Sequence, residues 1–126
     1  MASREQIVAA CDTYLAALSE GDVDTIVGLY ADGATVEDPV GSTIKTGDAI
    51  REFYESTKNV SLKATRVGPV TVAGATAAFL FRLDVSVGDQ DIVMASTDVM
   101  TFDDAGKVTS MMAIPDGDAY KDEPAS

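Results

Sequence analysis

The chain has 126 residues, no histidine, a single cysteine and a formal charge of -12. The missing histidine removes Ser-His-Asp and Cys-His catalysis and the usual zinc sites, so any chemistry falls to carboxyls, hydroxyls, amines or backbone. The acidic balance argues against a nucleic-acid groove, an anionic membrane surface and a strongly anionic substrate, all of which call for clustered Lys and Arg; a neutral, apolar ligand fits it best.

The length suits one domain with its own core, expected over residues 1–114, followed by a polar, acidic tail over 115–126. No apolar run nears the ~20 residues of a membrane span. The start, Met1-Ala2-Ser3-Arg4-Glu5, lacks the apolar stretch of a secretory signal. A lone Cys11 can make no disulfide within the chain, which fits a reducing cytoplasm. There is no Gly-rich phosphate loop and no dinucleotide fingerprint.

Ser3 with Gln6 three positions later predicts a capping box. Ile7, Cys11, Tyr14, Leu15 and Leu18 then follow at helical spacing as one inward stripe. Gly21 breaks the pattern, and Asp22 can cap a second, shorter helix whose stripe is Val23, Ile26, Val27 and Tyr30. The next stretch runs from Ala31 to Gly41. Steric clash with the ring of Pro39 pushes Asp38 out of the helical region, so its carboxylate projects from an extended segment before a Pro-Val-Gly turn. Thr35 and Val36 suit a short strand behind it. Asp-Pro is also ordinary turn chemistry. Thr46-Gly47-Asp48 opens a third helix with Ile50, Phe53 and Tyr54 inward.

Beyond Asn59 the period changes to two. Residues 60–67 and 70–73 read as strand, with a bend at Gly68-Pro69. Residues 77–87 alternate, with Phe79, Phe81, Leu83, Val85 and Val87 on one face and Arg82, Asp84 and Ser86 on the other. Residues 92–102 and 108–114 complete the pattern, joined by a hairpin loop at Asp103-Asp104-Ala105-Gly106. The expected class is α+β: three N-terminal helices packed on a strongly curved, mostly antiparallel sheet that leaves a conical pocket.

Two features stand out besides Asp38. Tyr14, Tyr30 and Tyr54 each lie on an apolar stripe, and a buried tyrosine hydroxyl without a partner costs ~1–3 kcal/mol. Spacing alone leaves open whether the three meet or each bonds a nearby carbonyl. Asp98 shares a strand face with Ile92, Met94, Ser96, Met100 and Phe102. Pointing inward, it would be desolvated, its pKa raised, and its neutral carboxyl able to donate a hydrogen bond. Pointing outward, it would be an ordinary solvated strand residue.

These residues resemble the bacterial steroid Δ5-isomerases, the ketosteroid isomerases. The likeness spans most of residues 4–114 and is densest in Gly21-Asp22-Val23-Asp24, Ala31 to Val40, Ile50-Arg51-Glu52-Phe53-Tyr54 and Asp98 to Phe102. The second-helix-to-turn segment alone marks only the wider superfamily of nuclear-transport-factor-like cone folds, which hosts many functions; Tyr14, Asp38 and Asp98 together are more specific. The resemblance implies a cofactor-independent isomerase with no metal, acting on an apolar steroid. It implies Asp38 as general base, with Tyr14 and a protonated Asp98 as the oxyanion hole. Ketosteroid isomerases are themselves the standard worked example of a carboxylic acid kept neutral for this purpose. It further implies Tyr30 and Tyr54 as a hydrogen-bond chain behind Tyr14, Phe81, Leu83 and Met111 as pocket lining, and a homodimer formed through the outer sheet face. One departure is Ile114-Pro115, where members of the family often carry a large aromatic against the steroid. Two other readings stand beside it. One is another cone-fold enzyme, polyketide-cyclase-like or epoxide-hydrolase-like, for which Arg82 and Asp84 could be mistaken for a water-positioning pair. The other is a non-catalytic module that binds hydrophobic ligands.

Overall fold

The computed structural model describes residues 1–121, so the last part of the expected acidic tail, 122–126, lies outside the described residues. Helix α1 (Arg4–Glu20) begins at the capping box, with both Ser3–Gln6 bonds made, and buries Ile7, Cys11, Tyr14, Leu15 and Leu18. It ends in a Schellman turn. Gly21 takes φ +68°, open to glycine without strain, and the Asp22 amide reaches back to the Ala17 carbonyl at 2.9 Å. Asp22 then caps α2 (Val23–Gly28) through the Thr25 amide.

Helix α2 ends at Gly28, two residues short of the Tyr30 that its apolar stripe includes. Tyr30 is the first residue of strand β1 (Tyr30–Glu37) and not the last inward residue of a helix. The helices therefore do not form one N-terminal block: β1 and the two-residue β2 (Lys45–Thr46) precede α3 (Asp48–Thr57). Strands β3 (Ser61–Arg66), β4 (Thr71–Ala73), β5 (Thr76–Val87), β6 (Gln90–Phe102) and β7 (Val108–Asp116) follow. The last runs through Pro115 to Asp116, beyond the expected end at Ile114.

The architecture is mixed α+β, with a curved, unclosed sheet of seven strands in the order β2-β1-β7-β6-β5-β3, β4 pairing with β5. The β1–β7 pair is parallel and every other pair antiparallel. Register shifts interrupt β1–β7 and β6–β7, and such bulges bend a sheet. The core lies between the inner sheet face and the helices, centred on Ile7, Cys11, Ile26, Tyr54, Phe79 and Met100.

The register arranges the inner face in cross-strand rows. Phe79, Asp98 and Ala113 form one row across β5, β6 and β7. Phe81, Ser96 and Pro115 form the next, and Leu83 with Met94 the one after. On the other side of the Asp98 row lie Ala77, Met100, Met111 and Val36, all buried. Adjacent rows are two residues apart, ~6.6 Å along a strand.

Candidate active site

One apolar cavity of about 230 Å³ opens between the helices and the inner sheet face. Tyr14 reaches it from α1, Tyr54 from α3, Asp98 from β6, and Asp38 from the segment just after β1. Phe81 and Leu83 line it, as do Leu18, Phe53, Val60, Leu62, Met94 and Pro115. Met111 does not line it. It sits one row below the Asp98 row, packed between Val36 and Met100 in solid core, so the expectation that it borders the pocket is corrected. At the departure noted in the sequence, Pro115 is the wall residue and Ile114 is turned outward.

Of the two orientations that alternation left open, Asp98 takes the inward one and is 1% exposed. Burial is the largest influence on its carboxyl and the Asp38 charge the next; together they push its pKa up to about 8, against a hydrogen bond from Ser96. That bond, from the Ser96 hydroxyl to Asp98 Oδ1, is 3.2 Å long. Asp38 is half-buried. Desolvation raises its pKa, and the nearby Lys45 ammonium opposes the rise. The two carboxyls thus occupy different environments, one dry and one partly open.

The three tyrosines meet. The Tyr30 and Tyr54 hydroxyl oxygens are 2.6 Å apart, and those of Tyr54 and Tyr14 are 3.1 Å apart. Each hydroxyl has one proton, so a chain that leaves the Tyr14 proton free for the cavity runs from Tyr30 to Tyr54 to Tyr14. All three phenols are pushed well above their ordinary pKa, with burial the largest cause, and so stay protonated donors.

Ser96 is the polar residue that sequence reasoning passed over. It stands on Asp98's own strand face two positions earlier, a signal already visible in the period of two. Lys45 carried no such signal; its place beside Asp38 comes from the β1–β2 pairing of Val36 with Lys45. Arg82 and Asp84 pair with each other at 3.0 Å, and neither lines the cavity. No group of three or more His, Cys, Asp or Glu with metal-holding geometry occurs among the described residues. Nor is any helix among them long and apolar enough to cross a membrane. An apolar cavity with one accessible carboxylate, one dry carboxyl and two phenols can remove a proton from a bound molecule and stabilise the anion formed.

Residues 12–111 match the SnoaL-like domain family. The chain is similar to a steroid Delta-isomerase of Nocardioides simplex, with 42% identity over 109 residues, covering 86% of this chain and 88% of that one. It also superposes on the epoxide hydrolase/cyclase-like enzyme SalBIII with a TM-score of 0.83, covering 92% of this chain and 95% of the other. At 24% identity that likeness speaks to the fold alone.

Proposed function

Since this chain belongs to the SnoaL-like domain family, we propose that it is a steroid Δ5-isomerase, the activity named for its relative, converting 3-oxo-Δ5-steroids to their 3-oxo-Δ4 isomers. The observation that carries this reading is one apolar cavity shared by a half-buried Asp38, a dry Asp98 and the Tyr14 hydroxyl.

Asp38 takes the C4 proton, which the neighbouring carbonyl and alkene acidify. The C4–H electron pair forms the C3=C4 bond, and the carbonyl pair moves to O3. Collapse of this dienolate restores C3=O, forms C4=C5, and sends the old C5=C6 pair to take the proton from Asp38 at C6. No proton or electron is gained or lost, so no cofactor enters the balance. A positioned base of this kind contributes ~10²–10⁴-fold.

While Asp38 is neutralised, the negative charge moves to O3, where Tyr14 and neutral Asp98 donate. A charged Asp98 would repel the dienolate, so its raised pKa is part of the chemistry. Tyr54, itself bonded to Tyr30, donates to Tyr14 and directs the Tyr14 proton to O3. The wall rows Phe81–Ser96–Pro115 and Leu83–Met94 bury the apolar rings. Pro115, smaller than an aromatic, leaves that wall open to bulk on the steroid. The enzyme works as a homodimer through the outer sheet face, where exposed Leu80 and Ile114 flank Thr97 in one row.

The test is to mix the protein with 5-androstene-3,17-dione and follow the ultraviolet band of the conjugated enone. Its growth supports the isomerase reading. Tight steroid binding without that band would make the protein a binding module instead.

A further inference from the structure

The Asp38 segment is held by a residue that takes no part in the steps above. Lys45, on the edge strand β2, pairs with Val36, two residues before Asp38. From there its ammonium donates to the Asp38 carbonyl oxygen at 3.4 Å and lies 4.8 Å from the centre of the Phe53 ring, one wall of the cavity. We propose that Lys45 is a positioning residue for Asp38, pinning its peptide at the cavity wall and holding a fixed positive charge beside the base without pairing with its carboxylate. The proposal rests on the isomerase reading for its kinetic consequences.

Asp38 lies where β1 has ended and an exposed turn begins, so its position depends on tethers. The Val40 amide bonds the Ala113 carbonyl at 2.8 Å, and Glu37 turns away to accept the Gly41 amide at 2.6 Å. Lys45 supplies the bond to Asp38 itself. A base displaced by an ångström loses much of its advantage, because proton transfer requires hydrogen-bond reach.

The second effect is electrostatic. Tyr14 from α1, Tyr54 from α3 and Asp98 from β6 face the same cavity, and none can carry a positive charge. Tyr30 of β1, which feels the Asp38 charge, cannot either, nor can the adjacent carboxyl of Glu37. Among the described residues no ammonium or guanidinium comes within 4.0 Å of the Asp38 carboxylate. A direct ion pair would occupy the oxygen that must receive the proton and would weaken it as a base. A cation bonded one carbonyl away offsets desolvation of the carboxylate and leaves both its oxygens free. The aromatic face of Phe53 replaces part of the water the ammonium loses there.

The experiment compares wild type with Lys45→Met, Lys45→Gln and Lys45→Arg. In Met, which keeps the stem without the charge, the acid limb of the kcat/KM profile moves to higher pH by about half a unit to one unit. Gln behaves as Met, and Arg restores the wild-type limb, with KM little changed throughout. Independently of turnover, a ¹³C NMR titration of the Asp38 carboxyl in the ligand-free protein moves in the same direction. An Asp38 titration unchanged in folded Lys45→Met and Lys45→Gln overturns the proposal. If the NMR titration moves while no 3-oxo-Δ5-steroid is turned over, the isomerase reading fails and the Lys45–Asp38 coupling stands.

Discussion

The Ser96 hydroxyl donates to Asp98 Oδ1 at 3.2 Å, and the two side chains lie two residues apart on the cavity face of β6. The bond favours the charged form of Asp98, yet burial and the Asp38 charge outweigh it and leave the carboxyl near 8. Catalysis by a neutral Asp98 is therefore expected to fall as pH rises through about 8. Ser96→Ala removes the one group that lowers this pKa and should move the basic limb of the kcat profile upward. A limb that stays in place in Ser96→Ala assigns that titration to another group.

The same burial has a stability consequence. Asp98 has an ordinary value of 3.8, which stands for the unfolded chain, and about 8 when folded. Below 3.8 both states are protonated and nothing is lost; between 3.8 and about 8 only the unfolded state ionises, so stability falls as pH rises through that window. Asp98→Asn, which cannot ionise, should be more stable than wild type to urea at pH 8, by a few kcal/mol at about 1.4 kcal/mol per pH unit. The gain should vanish near pH 4. A gain independent of pH would mean that packing, and not charge burial, sets it.

Asp38→Asn keeps the shape of the base and removes its proton affinity. Turnover should drop by at least ~10²-fold. A phenolic steroid, which imitates the dienolate at O3, should still bind, because Tyr14 and Asp98 are untouched. Calorimetry and the enone assay on one preparation check both halves, and a variant that keeps most of its activity rejects Asp38 as the base.

Tyr14→Phe removes one donor from the anion site while keeping its ring against Phe79 and Tyr54. The expected cost is ~2.7–4 kcal/mol, or 10²–10³ in kcat, with KM little altered. Tyr54→Phe breaks the bond behind Tyr14 without touching O3 and should cost less. Equal, small effects of both on kcat and KM would assign the tyrosines to packing alone.

Much of this architecture is legible along the chain. The Ser3–Gln6 capping box, the Gly21 break, the change of period after Asn59, the bend at Gly68-Pro69 and the loop at Asp103 to Gly106 all mark real element boundaries. Tyr30 continues the apolar stripe of α2 along the chain, while its pairing with Val108 on β7 draws that residue into the sheet. A competing long-range ladder is invisible to a pattern read over a few neighbours.

The sequence by itself determined which chemistries are closed to a chain without histidine, where the three helices begin, and that Asp98 stands on an apolar strand face. Only the tertiary structure decided that this face points inward, that hydroxyls 24 and 40 residues apart in sequence meet, and that Met111 falls one row below the cavity. It also decided that Lys45 stands beside Asp38. The physical reason is range. Side-chain periodicity reflects backbone geometry within a few residues, whereas membership of a cavity depends on the register between strands distant in sequence, where a slip of one residue turns every side chain to the other face.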